Sequence, residues 1–284
     1  MTRNAYEPST IKYNAKRLKQ LLRYTKYDDP EQVKEYIAKK EVSNAYKESL
    51  IETYAIYMRM LGRQWEQPFY DRYDKPPTIP KEQKINLLIA HAQTRMSLFL
   101  SMMKDMGTRP VELTWLKLGD IDLQRGNVNI TGAKHTVGRI GKLKPKTLAM
   151  LKAYVIKKNM TLNSRLFPTT SDNICRFYNH MRNALADKLK DPEIRTIKLY
   201  DFRRWKATNE FRLTNNIIHV QELLGHKDIR TTRLYAKLSQ ALDDDPDWIV
   251  ESTTDQKRVD ELIEKGFEYV LTTPDGYMKF RKRK

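Results

Sequence analysis

Four prolines fall within the fourteen residues from Gln67 to Pro80 (QPFYDRYDKPPTIP), and no glycine accompanies them. Proline lacks the amide hydrogen that a helix or an inner strand requires, and it biases the residue before it towards extended backbone. No regular element should cross this stretch, so it divides the 284-residue chain unequally. The expected domains are 1–70, a linker at 71–80, a larger domain at 81–250 and an extension at 251–284.

The first part reads as a small helical bundle. Ser9-Thr10 is placed to cap a helix carrying Ile11, Leu18, Leu21 and Leu22 at helical spacing. Asp28, Asp29 and Pro30 open a second helix with Val33 and Tyr36-Ile37, and Ser43 caps a third that runs towards Gly62. Lys12, Lys16, Arg17, Lys19 and Arg23 crowd the first helix. A solvated face and a phosphate-contacting face explain that run equally well.

Beyond the break, helices are expected near 81–92 and 94–106, then from Arg109, and again at 144–158, 171–190, 200–213 and 216–224. The segments Asn127–Gly132 and Val137–Leu143 read as paired strands, with Ala133-Lys134-His135-Thr136 as their turn. The tail reads as a helix at 257–265 stopped by Gly266, then a hairpin around Pro274-Asp275-Gly276 ending in basic residues. The expected fold class is therefore mainly α with a small antiparallel β-sheet, an α+β arrangement.

Charge narrows the function. Lys and Arg number 53 against 35 acids, a formal net charge of +18 spread along the chain. A folded protein this basic repels itself unless it meets a polyanion, and nucleic acid is the usual one. No run approaches the roughly 18 apolar residues of a membrane span, and the polar start Met-Thr-Arg-Asn-Ala-Tyr does not read as a signal peptide. A single cysteine, Cys175, excludes an internal disulfide framework and fits a packed core thiol in a reducing cytoplasm. A cytoplasmic, nucleoid-associated protein is expected. The histidines show no zinc-ligand spacing, so no metal site is expected. The acidic run Asp243-Asp244-Asp245 with Asp247 reads as a linker rather than a two-metal nuclease site, because no second carboxylate cluster accompanies it.

Three separated segments carry the chemistry. The first is Met106-Gly-Thr-Arg109-Pro-Val-Glu112-Leu113; the second is Tyr200-Asp-Phe-Arg203-Arg204-Trp-Lys-Ala-Thr; the third is Leu224-Gly225-His226, with Tyr235 nine positions after the histidine. Together they resemble the boxes of the tyrosine recombinase (phage integrase) family, in the family's order. The resemblance implies an amino-terminal core-binding domain and a catalytic domain that close as a C-shaped clamp. It also implies site-specific DNA cleavage and rejoining through a 3′-phosphotyrosyl intermediate, without metal, ATP or any other cofactor. The implied partners are double-stranded DNA and further copies of the same chain, as a tetramer on DNA.

The resemblance also assigns roles. Arg109 and Arg203 take the two arginine positions, Tyr235 is the nucleophile, and His226 donates a hydrogen bond to a non-bridging oxygen. Lys134 in the hairpin turn protonates the leaving oxygen, with Lys142 and Lys144 open as alternatives. Glu112 lies close enough to orient Arg109 or nearby backbone. The chain departs from the pattern at Tyr200, where many members have histidine, and at Arg204, which replaces a second histidine. These substitutions, and the tail with Thr-Pro-Asp-Gly-Tyr, resemble archaeal integrases and point to an archaeal host or mobile element. The physical case is independent: two guanidiniums bind crowded phosphate oxygens through charge-assisted hydrogen bonds. A phenol with a pKa of about 10 attacks well only where its phenolate is favoured. Type IB topoisomerase-like relaxation, a silent DNA-binding relative and a metal-dependent nuclease are the competing readings.

Overall fold

The computed structural model describes residues 6–26, 28–71, 76–133, 136–239 and 248–283. The chain forms two compact units, 1–76 and 77–284.

The first unit packs α1 (Pro8–Tyr24), α2 (Pro30–Lys39) and α3 (Asn44–Met60). Helix α1 begins one residue before the Ser9-Thr10 cap that the sequence offers, because Pro8 takes the first turn, where its missing amide hydrogen costs nothing. Asp29 and Ser43 cap α2 and α3 by accepting from the amides of Gln32 and Tyr46. Leu21, Val33, Ile37, Leu50, Ile51, Tyr54 and Met58 form the core, and Trp65 packs edge-on against Tyr54 at 4.7 Å. Trp65 and Tyr70 join this core, so residues after the last helix still belong to the bundle.

The second unit is built on α5 (Thr94–Met106), where Leu98 to Met103, Asp105 and Met106 are buried. A helix buried all round must lie inside its domain. Around it lie α4 (Glu82–His91), α7 (Pro145–Lys157) and α10 (Asp201–Thr214). A short α6 (Pro110–Trp115) leads to the antiparallel sheet β1 (Ile121–Asp122), β2 (Asn127–Ile130) and β3 (Arg139–Lys142), in that spatial order. A β-carbon on Gly141 would lie 2.6 Å from Met106 Sδ, so the absence of a side chain lets β3 press on the end of α5. The helices α8 (Ser171–Leu189), α9 (Pro192–Thr196), α11 (Ile217–Leu224) and α12 (Arg233–Ser239) complete this part.

The carboxy-terminal extension contains β4 (Trp248–Thr253), α13 (Gln256–Glu264), β5 (Glu268–Thr272) and β6 (Met278–Arg283), with β6 in the middle of the sheet. The hairpin around Gly276 was legible in the sequence, whereas β4 was not. Trp248 and Ile249 open β4 and pair in register with Arg283 and Lys282 of β6. The acidic run at 243–247 lies outside the described residues. No helix among the described residues is long and apolar enough to cross a membrane.

Phe99 is fully buried and meets Phe167 edge-on at 5.0 Å. Phe99→Ala should cost about 3–5 kcal/mol of unfolding free energy through the cavity it leaves. Denaturant titration checks this, and a loss below about 1 kcal/mol would contradict the central position of α5.

Candidate active site

Arg203 projects from the first turn of α10 into the interior and is 0% exposed. A buried guanidinium must find acceptors. Here they are the carbonyl ends of two other helices. Helix α5 ends at Gly107 and α11 at Gly225, both with positive φ (62° and 67°). Arg203 Nη1 donates to the Gly107 carbonyl at 2.6 Å, and Nη2 donates to the Leu224 carbonyl at 2.9 Å. These helix ends carry partial negative charge, so they suit a cation held out of water. Burial, with Arg109 next, lowers the Arg203 pKa to about 10, which leaves the side chain charged at neutral pH.

Nη2 also lies 3.1 Å from His226 Nε2. Arginine only donates, so Nε2 accepts and the ring proton sits on Nδ1, which donates to Thr232 Oγ1 at 2.9 Å. Burial first, then Arg203, Arg109 and Arg139, lowers the His226 pKa to about 4, so the ring is neutral. In this arrangement His226 Nε2 accepts from Arg203.

Glu112 is the anion of the site, with its side chain 0% exposed. It accepts from the Arg109 backbone amide at 2.9 Å, Arg109 Nη1 at 3.3 Å and Arg139 Nη2 at 2.8 Å. It also reaches the Ala133 amide and Thr136 Oγ1, each at 3.4 Å, and so holds both sides of the hairpin turn. Burial pushes its carboxyl up, but the Arg139 hydrogen bond and charge outweigh burial and hold it below the usual carboxylate range. Arg139, at the start of β3, went unrecognised in the sequence. Only a basic residue three and five positions before the alternative lysines Lys142 and Lys144 would have drawn notice, and that signal is weak. Lys134 lies outside the described residues, so its place within the turn is not described.

Tyr235, on α12, is buried beside these cations, and its ring stacks with His226 at 6.4 Å between centroids. Burial, then the neighbouring Tyr200, raises its pKa to about 12, with Arg203 and Arg204 pulling the other way. The cationic surroundings therefore do not produce a standing phenolate. Tyr200 precedes α10 and neighbours Tyr235. Arg204 lies 5.2 Å from the Tyr200 ring centre and pairs with Asp201 at 2.7 Å. The structure thus brings Arg109, Glu112, Tyr200, Arg203, Arg204, His226 and Tyr235 together. Among the described residues, no cluster of three or more histidine, cysteine or acidic groups is arranged to hold a metal.

The segment from residue 80 to 241, more than half of the chain, matches the model of the phage integrase family. The chain belongs to the phage integrase family. The tyrosine recombinase XerA of Saccharolobus solfataricus is 30% identical over 158 residues, which cover 56% of this chain and 50% of that protein. A probable integrase/recombinase of Methanocaldococcus jannaschii is 27% identical over 154 residues, covering 52% and 47%. The chain therefore spans about half the length of these relatives. Among solved structures, the Tn1549 transposon integrase in complex with transposon right end DNA covers 85% of this chain and 94% of its own, at 12% identity and a TM-score of 0.64. A lambda integrase tetramer bound to a Holliday junction covers 81% and 72%, at 14% identity and a TM-score of 0.61. These likenesses show that the fold is shared with other family members.

In the first unit, Lys12, Lys16, Lys19 and Arg23 are exposed, and their spacing of four, three and four places them on one face of α1. Arg17 lies off that stripe, half-buried, and contacts Asn14 Oδ1 at 3.4 Å.

The depressed histidine pKa has a measurable sign. Its folded value lies below the unfolded value of about 6.5, so the unfolded chain binds the extra proton between the two. The stability conferred by neutral His226 is complete above about pH 6.5 and declines as pH falls towards about 4. Ring resonances of His226 followed by NMR should titrate near pH 4, and a midpoint near 6.5 would contradict the arrangement.

Proposed function

We propose that the chain is a site-specific DNA recombinase or integrase that cleaves and rejoins strands through Tyr235. The observation that carries this reading is the burial of one phenol beside two arginines, a neutral imidazole and a second phenol. Arg109, Arg139 and Arg203 outnumber the single carboxylate Glu112, and a phosphodiester anion offsets part of that excess charge.

Arg109 and Arg203 hold the non-bridging oxygens. Three of the five guanidinium hydrogens of Arg203 are committed to Gly107, Leu224 and His226. The bond to His226 is the one that a phosphate oxygen replaces, since the two carbonyl bonds fix the side chain. The developing negative charge on phosphorus oxygens is where such preorganised donors contribute most. Tyr235 Oη forms a bond to phosphorus as the bond from phosphorus to the 5′ oxygen breaks, giving a 3′-phosphotyrosine and a 5′-hydroxyl. With a phenol raised to about 12, proton loss accompanies attack rather than preceding it. Tyr200, in the place where many relatives carry histidine, is a poor base as a neutral phenol, so the proton passes to water or another group and Tyr200 serves as a hydrogen-bond donor to the phosphate. Lys134 donates the proton to the leaving 5′ oxygen. The bond energy stays in the phosphotyrosyl link, so rejoining requires neither ATP nor metal.

The basic stripe of α1 supplies phosphate contacts that position the first unit without reading sequence. Strand exchange between two sites needs four such active sites, so the functional assembly is a homotetramer on DNA, in keeping with the lambda integrase tetramer bound to a Holliday junction.

A duplex carrying a candidate recombination site, with a nick beside the scissile phosphate, should trap a denaturation-resistant protein–DNA adduct in EDTA. Tyr235→Phe should abolish it, and Arg203→Ala should slow its formation about 10²–10³-fold. Lys134→Ala should slow it as well, and a bridging 5′ sulfur should restore the rate, because a thiolate leaves without a proton. Metal-dependent cleavage without an adduct would overturn the proposal.

A further inference from the structure

We propose that the open face of the carboxy-terminal sheet is a second duplex-DNA contact, laid into the major groove; the inference rests on the DNA-acting reading above. The family match ends at residue 241, so β4 to β6 lie outside the part that the match explains. The extension has its own small core, in which Val259 and Leu262 of α13 cover Phe280 of β6, with Phe267 and Met278 beside them. Side chains alternate along a strand, so Lys279 and Arg281 occupy the opposite face from Phe280. The register sets Lys279 between Ser252 and Leu271, and Arg281 between Val250 and Glu268. Val250 and Leu271 on that face are 59% and 45% exposed.

Charge chooses the partner. On the open face β6 carries Lys279 and Arg281, whereas α13 on the other side carries Asp260, Glu261 and Glu264 against Lys257 and Arg258, with Lys282 of β6 bonded to the Lys265 carbonyl on that helix side. A polyanion approaching the extension is drawn to the sheet and repelled by the helix. Size agrees: three strands at about 4.8 Å spacing set the outer strands about 10 Å apart, and the major groove is about 12 Å wide. Exposed Val250 and Leu271 between cations suit base methyls and sugars in such a groove. Among the described residues of this face, Glu268, which lies 3.6 Å from Arg281, is the carboxylate that opposes the contact.

The test measures binding to a duplex of about 40 base pairs over a range of salt, with four proteins. Lys279→Gln combined with Arg281→Gln should weaken binding about tenfold near physiological salt and reduce the slope of log affinity against log salt by about two. Lys257→Gln combined with Lys265→Gln removes the same charge from α13 and its end, and should change neither. Glu268→Gln should tighten binding a few-fold, a gain that misfolding cannot mimic. Equal losses in both double variants would overturn the proposal, as would an unchanged slope or an effect confined to self-association of the chain. Adduct formation by the parent protein, followed in the same samples, reports on the nucleophile alone. A slope change without any adduct would contradict the phosphotyrosine reading and leave the sheet's role standing.

Discussion

The hydrogen bonds from the buried Arg203 guanidinium to the ends of α5 and α11 are the interaction on which the site depends. They join the first and last sequence boxes, Gly107 and Leu224, through a side chain from the second. Each carbonyl is presented because a glycine turns the chain out of its helix with positive φ. The space is already full: a β-carbon at Gly107 would meet Lys206, Leu223 and Leu224 at 3.2–3.4 Å, and one at Gly225 would lie 2.6 Å from the Val137 carbonyl. The same turn accepts the Val137 amide at 3.0 Å, so the hairpin is tied to the histidine segment as well.

A second balance keeps the site ready without neutralising it. Glu112 answers one cation among Arg109, Arg139 and Arg203, and it does so from complete burial. Removing one partner from such a buried network costs about 3–5 kcal/mol, because the remaining charges lose their compensation. Burial first, then the excess positive charge, holds His226 neutral, and burial keeps Tyr235 protonated. The pocket therefore favours an incoming anion and leaves the nucleophile uncharged until that anion arrives.

Most of this was legible in the sequence, for identifiable reasons. Arg109, Arg203, His226 and Tyr235 sit in compact boxes with fixed spacing, and helical periodicity outlined the elements that bring them together. Arg139 was hidden because its role is set by an ion pair from β3 to Glu112 on α6, which spacing along the chain does not encode. The neutral, accepting state of His226 depends on Arg203 from another helix, so no local pattern reveals it. Strand β4 escaped for the same reason: its partner is β6, about thirty residues onward. Arg17 looked equivalent to its basic neighbours on α1 until helical rotation turned it off their stripe.

Two phenols, Tyr200 and Tyr235, are neighbours in one cationic pocket, so the central claim turns on which becomes covalently attached. Trapped adduct can be digested with nuclease and protease and the modified peptide sequenced by tandem mass spectrometry. The account predicts a nucleotide-bearing phosphate on Tyr235, with Tyr200 unmodified. Attachment at Tyr200, or at any residue outside α12, would contradict it.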